Sequence, residues 1–148
     1  MSRIEIINKF WYQEGKFLEK SGKSDLYLPY IDIVVEDFKP KKPVLIDTGA
    51  SISILGIEFE DFFSTRKPID TFPTQYGGTS KAIDLKVYKV MLTIKGYDFE
   101  SRVVFNPAEY NYHVFGHLDF LQKHFDVLLF EMNRNNLSEN RFKLIRKQ

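Results

Sequence analysis

The sequence contains no cysteine. That excludes disulfide bridges, thiolate zinc sites and cysteine nucleophiles, and it fits a reducing compartment. No run is long and apolar enough to cross a bilayer. Charges interrupt the apolar residues between Met1 and Lys9, so no signal peptide is legible there and the expected location is the cytoplasm. Charge of one sign is also missing. Twenty-one Lys and Arg face 20 Asp and Glu, a formal net charge of +1, which gives no general pull toward nucleic acid or an anionic membrane. Neither is expected as a partner, and the short basic ending Arg141–Gln148 reads as solvated chain rather than a nucleic-acid patch.

Histidine is scarce as well, with three in the chain. His113 and His117 stand four apart with Asp119 nearby, but Gly116 interrupts any helix between them and no further ligand spacing follows. They read as surface or internally satisfied histidines, and no metal is expected. Gly78-Thr79-Ser80-Lys81 has the wrong order and lacks the upstream glycine of a phosphate loop. Ser51 and Ser53 have no nucleophile elbow around them.

What is present is an ordinary globular composition, 43% hydrophobic and 28% charged over 148 residues, enough for one domain with a core. Fourteen Phe and eight Tyr make much of that core aromatic. The pattern is mainly β. Tyr30–Val35 and Val44–Ile46 are β-branched or aromatic. Ile83, Leu85 and Val87 alternate with polar neighbours, and Val90–Ile94 continues that strand. Lys95-Gly96 is a turn, after which Tyr97–Phe105 returns as a strand. Glu58–Phe63 reads as one helical turn. Val114-Phe115 is a short strand stopped by Gly116. His117–Phe125 carries apolar residues at Leu118, Leu121 and Phe125, a helical spacing. Val127–Phe130 reads as a buried strand. The expected organisation is an N-terminal extension over 1–26 with a candidate strand at Lys16–Glu19, one domain over 27–132, and a C-terminal tail or terminal strand over 133–148.

The chemistry lies in Val44-Leu45-Ile46-Asp47-Thr48-Gly49-Ala50-Ser51. An apolar strand delivers a carboxylate to its end, and a glycine turns the chain away at once. Asp is a poor strand residue, so its place after three aliphatics implies that the fold holds it for a purpose. A carboxylate can activate water as a general base. Two that share a proton do better, one ionised toward the water and one protonated toward the scissile carbonyl. Like charges at close range drive their apparent pKa values apart, and such a pair titrates as one unit. Asp-Thr-Gly occurs once, so the second carboxylate must come from another chain, and a two-fold axis would place Asp47 beside its own copy. Thr48 would hydrogen-bond across that axis. Gly49 would let the backbone pass close to the carboxylates and offer an N–H. A given tetrapeptide such as Asp-Thr-Gly-Ala arises by chance in on the order of one in a thousand chains of this length. The bland alternative is a hairpin turn in which Asp47 bonds its own backbone.

On these residues the sequence resembles the retropepsin-like aspartic proteases, the dimeric relatives of pepsin. Ile46–Ser51 matches their active-site loop. Gly77-Gly78, ahead of a long strand, sits where they place a flap. Val114-Phe115-Gly116 matches the apolar-apolar-Gly element before their C-terminal helix, and His117–Leu121 looks like that helix. The likeness runs from about Tyr27 to Phe130. It implies a closed β-barrel with one short C-terminal helix, and a homodimer that acts as an endopeptidase on extended peptides without a cofactor. The resemblance makes Asp47, Thr48 and Gly49 the catalytic residues and puts Ala50, Tyr76, Gly77 and Gly78 on the substrate, although Tyr76 reads equally well as a solvent-facing loop residue. Where the family often has Arg after the glycine, this chain has His117. The alternative is an inactive peptide-binding or dimerisation module of the same fold.

Overall fold

The computed structural model describes residues 5–9, 11–18, 22–74, 83–109 and 113–147. In chain order the strands are β1 (Glu5–Lys9), β2 (Trp11–Leu18), β3 (Gly22–Leu28), β4 (Tyr30–Ile31), β5 (Val34–Val35), β6 (Val44–Ile46), β7 (Ile54–Leu55), β8 (Asp70–Thr74), β9 (Ile83–Ile94), β10 (Tyr97–Phe105), β11 (His113–Phe115), β12 (Phe125–Glu131) and β13 (Arg141–Arg146). A 3-10 turn at Ile57–Phe59 leads into α1 (Glu60–Ser64), and a π-helical turn at His117–Leu121 leads into α2 (Gln122–His124). The protein is mainly β with short helices. Among the described residues no helix is long and apolar enough to cross a membrane.

The chain divides into two compact units, 32–123 and 1–31 with 124–148. In the second of these, β13 lies between β1 and β12 in an antiparallel sheet, and β2 pairs with β3 as a hairpin. Ile6, Phe142 and Leu144 are buried on one face of that sheet, alternating with more exposed neighbours as a half-buried strand requires. Strand β12 corrects the sequence reading. It is a strand, but Leu129 and Phe130 are 47% and 41% exposed. An apolar run alone does not say whether both faces of a strand are covered, and β12 is an outer strand of its sheet.

In the unit 32–123 the strands run β6-β11-β7-β10-β9-β5, with β8 also on β9. The long hairpin β9–β10 turns at Lys95 and Gly96, both with positive φ (49° and 84°), the backbone that a two-residue hairpin turn needs. Val90, Leu92 and Ile94 from β9 and Phe99, Val103 and Val104 from β10 are buried. An aromatic cluster fills the core. Phe59 is fully buried and meets the rings of Phe38, Phe62, Phe63 and His113 at 4.9–5.9 Å between centroids. Phe115 stacks on Phe120 at 3.9 Å. The helix after Gly116 forms where the spacing predicts one, but its inward face differs. Phe120 and Leu121 are buried, whereas Leu118 is 60% exposed. The reason is the wider π turn at its start, which adds a residue to the turn and shifts the apolar positions around the axis.

Candidate active site

Asp47 follows β6 directly. Strand β6 sits in the sheet through parallel pairing with β11, Val44 opposite His113 and Ile46 opposite Phe115. Val44 and Ile46 are buried, so the strand is anchored by its side chains as well as its ladder. The ladder reaches one residue further, because the Asp47 N–H donates to the Phe115 carbonyl at 3.1 Å. The chain then turns. The Ala50 N–H donates to the Asp47 carbonyl at 3.2 Å, and the Gly49 N–H donates to Asp47 Oδ1 at 2.9 Å. A Cβ on Gly49 would stand 3.2 Å from that same oxygen, tighter than most contacts of its kind. Glycine is therefore favoured here by space. The carboxylate of Asp47 is half-buried, and Thr48 and Gly49 are exposed. The Gly49 bond belongs equally to a catalytic loop and to a plain Asx turn, so it does not choose between the two.

The loop 47–53 lies against the start of the helix after Gly116. Gly116 donates its N–H to Ser53 Oγ at 2.9 Å, His117 to the Ala50 carbonyl at 2.7 Å and Leu118 to the Ser51 carbonyl at 3.0 Å. Those amides have no partner within their own helix, and the loop supplies one for each. Asp119 returns the contact. Its two carboxylate oxygens accept from the Ser53 N–H and the Ser53 hydroxyl, each at 2.7 Å. A Cβ on Gly116 would fall 2.4 Å from the Ile52 carbonyl carbon and oxygen, so loop and helix touch backbone to backbone.

A second polar group braces the strands beneath. His113 on β11 is 1% exposed. The Gly56 N–H donates to its Nδ1 at 2.9 Å, and its Nε2 lies 3.0 Å from Glu58 Oε2. A ring that accepts at Nδ1 must carry its proton on Nε2, so the imidazole is neutral and donates to the carboxylate. Burial pushes the His113 pKa below its ordinary value, although the Glu58 carboxylate pulls the other way. Burial would raise the Glu58 carboxyl, but the amides of Lys41 and Lys42 and the His113 ring outweigh it and hold it below the usual carboxylate range. The expectation of an internally satisfied histidine describes His113. His117 is exposed.

Both folded-state values are depressed, so the unfolded chain binds more protons as the solution is acidified. The His113 contribution to stability is complete above about pH 6.5, the ordinary histidine value, and is lost as the pH falls through its lower folded value. The Glu58 contribution is lost further down. Urea denaturation between pH 7.5 and 4 should therefore show the midpoint falling with acidification. His113→Gln, which offers an acceptor and a donor but does not titrate, should flatten the upper part of that fall. An equally steep profile in the variant would place the proton uptake elsewhere.

Ala50 is half-buried in the loop with its N–H and carbonyl both engaged. Tyr76, Gly77 and Gly78 lie outside the described residues. Sequence reasoning set Ser53 aside as a nucleophile and Asp119 as a metal ligand, and gave neither of them, nor Glu58, a part in the site. The one available signal was Asp119 in the first turn of a helix, where a carboxylate is favoured. Among the described residues no group of three or more His, Asp or Glu could hold a metal ion.

No protein-family model matches the sequence, and no curated protein does. Solved structures do. A retropepsin-like aspartic protease from Rickettsia conorii is 18% identical, covers 97% of this chain and 92% of its own, and superposes with a TM-score of 0.57. EIAV protease, solved with the inhibitor HBY-793, is 20% identical over 60% of this chain and 81% of its own, with a TM-score of 0.43. The fold is thus retropepsin-like.

Proposed function

We propose that this retropepsin-like chain is an aspartic endopeptidase, active as a homodimer in which Asp47 of each subunit contributes one carboxylate of the catalytic pair. The observation that carries the reading is a lone Asp-Thr-Gly held at the end of a buried strand in a retropepsin-like fold. One carboxylate takes a proton from the attacking water. The other, protonated, polarises the scissile carbonyl, and the two exchange roles as the amine leaves. Exposed Thr48 hydrogen-bonds its copy across the two-fold axis and keeps the loops in register. An extended peptide lies along the pair of loops and adds as a strand to the flap backbone. Ala50, whose N–H is taken up by the Asp47 carbonyl and whose carbonyl accepts from His117, offers it a methyl group. Tyr76, Gly77 and Gly78 are assigned to substrate binding in this proposal on the resemblance alone. No cofactor is needed, because the pair activates water by itself. The closed barrel, the domain limits 27–132 and a cytoplasmic location belong to the same proposal.

The test is to incubate the purified chain with a diverse peptide mixture from pH 4 to pH 7.5, read cuts by mass spectrometry, and follow association by sedimentation over the same concentrations. Specific activity per chain should rise with protein concentration in step with the dimer fraction. Cleavage by a species that sediments as a monomer would overturn the shared site. Absence of cleavage by a sedimenting dimer would move the assignment to a peptide-binding or dimerisation module of this fold.

A further inference from the structure

The loop that carries Asp47 is fixed to the end of β11 and to the helix after Gly116 by contacts of two kinds. Asp47 N–H to Phe115, His117 N–H to Ala50 and Leu118 N–H to Ser51 are backbone to backbone, and no side-chain substitution removes them directly. Among the described residues, side-chain links between loop and helix run through Ser53, to the Asp119 carboxylate and to the Gly116 amide. They form a closed set. Ser53 gives its N–H and its hydroxyl proton to the two oxygens of one carboxylate, and its Oγ accepts the Gly116 amide. Ser53 is 1% exposed and Asp119 is half-buried, so removing the carboxylate takes away the acceptor of two buried donors. Hydrogen bonds to an ionised acceptor are about twice as strong as neutral ones. The Ser53–Asp119 pair also spans 66 residues of sequence, joining the end of the Asp47 loop to the first turn of the helix.

From this geometry we infer that Asp119, acting through Ser53, is a positioning residue for the Asp47 carboxylate. This rests on the aspartic protease reading above. A shared-proton pair depends on the spacing of its two carboxylates, because their mutual repulsion sets both apparent pKa values. Without the Asp119 carboxylate, Ser53 keeps the Gly116 amide on its Oγ and the Val104 amide on its carbonyl, but its own N–H and hydroxyl lose their acceptor and the loop between Ser51 and Ser53 can shift. Displacement on the order of 1 Å at a catalytic group costs up to about 100-fold in rate. Loss of one tether among several should cost less. Asp119 does not touch substrate on this account, so substrate affinity should hold.

The experiment compares wild type, Asp119→Asn, Asp119→Ala and Asp47→Asn on one peptide substrate, with kcat and KM determined across pH and Tm measured on the same samples. Asparagine keeps one acceptor for the Ser53 amide, and alanine keeps none. Asp119→Ala should lose on the order of tenfold in kcat with KM within about twofold, and the limbs of its kcat–pH profile should move. Asp119→Asn should fall between it and wild type. If Asp119→Ala lowers only Tm, with kcat per folded dimer and the pH limbs unchanged, the pair is structural and the inference is overturned. A rise in KM alone would overturn it as well. Should Asp119→Ala fail to fold, Asp119→Asn decides by the same criteria. If Asp47→Asn cleaves as fast as wild type, it is the protease reading that fails, whatever the Asp119 variants do.

Discussion

Asp47→Asn is expected to lower kcat by about 10,000-fold, the upper end of what a general acid or base contributes, with Tm and sedimentation behaviour unchanged. Asparagine has the shape of aspartate and keeps an oxygen for the Gly49 amide, which lies 2.9 Å from Oδ1 in the native loop. The strand that delivers it is anchored by Val44 and Ile46, both buried, and by its ladder to β11. None of that involves the charge. What asparagine cannot do is accept a proton from water or share one with its partner. The loss should therefore appear in kcat alone.

Mixing sharpens this prediction. If each site takes one carboxylate from each subunit, a mixed dimer is as dead as the double variant. Equal amounts of wild type and Asp47→Asn, co-refolded and associating at random, then leave about one quarter of the activity, because about one quarter of the dimers are wild type on both sides. A site complete within one chain would leave about one half. The two outcomes are separated by a simple titration, and the second would overturn the shared pair even if Asp47 proved essential.

The parts of this site that were legible in the sequence are the local ones. Three aliphatics ending in Asp47 specify a buried strand that stops at a carboxylate, and the structure has that strand at Val44–Ile46. Lys95-Gly96 specifies a turn, and both residues take positive φ. Apolar spacing after Gly116 specifies a helix, but it assumes 3.6 residues per turn. The π turn at His117–Leu121 breaks that assumption and turns Leu118 outward. The helix Ile57–Ser64 is longer than the single turn that Glu58–Phe63 suggests, and its buried Phe59 and Phe63 are what tertiary packing adds to weak local preference. The polar braces were not legible as pairs. His113 meets Glu58 across 55 residues, and Ser53 meets Asp119 across 66. Nothing in the spacing of either pair reports that the fold joins them.

Gly116→Ala is expected to destabilise the protein by about 3–5 kcal/mol, the second large effect. The φ of Gly116 is −93°, which any residue adopts, so the requirement is for space. An alanine Cβ would stand 2.4 Å from the Ile52 carbonyl carbon and oxygen and 2.7 Å from its nitrogen. All three are backbone atoms, and none can rotate away. Loop and helix would have to part by about 1 Å to reach normal contact. Overpacking alone costs about 1–3 kcal/mol. Here the movement also stretches the bonds from Gly116 to Ser53, His117 to Ala50 and Leu118 to Ser51, each contributing about 1 kcal/mol. Set against a typical stability of about 5–15 kcal/mol, the variant should be largely unfolded in mild denaturant. Gly96→Ala is the control. Its φ is +84° with nothing within 4 Å, so alanine there is strained by conformation alone and costs about 1 kcal/mol. Urea midpoints for the two variants decide the matter. If Gly116→Ala costs no more than Gly96→Ala, the loop yields without loss and cannot be the rigid seat that the proposed catalytic pair requires.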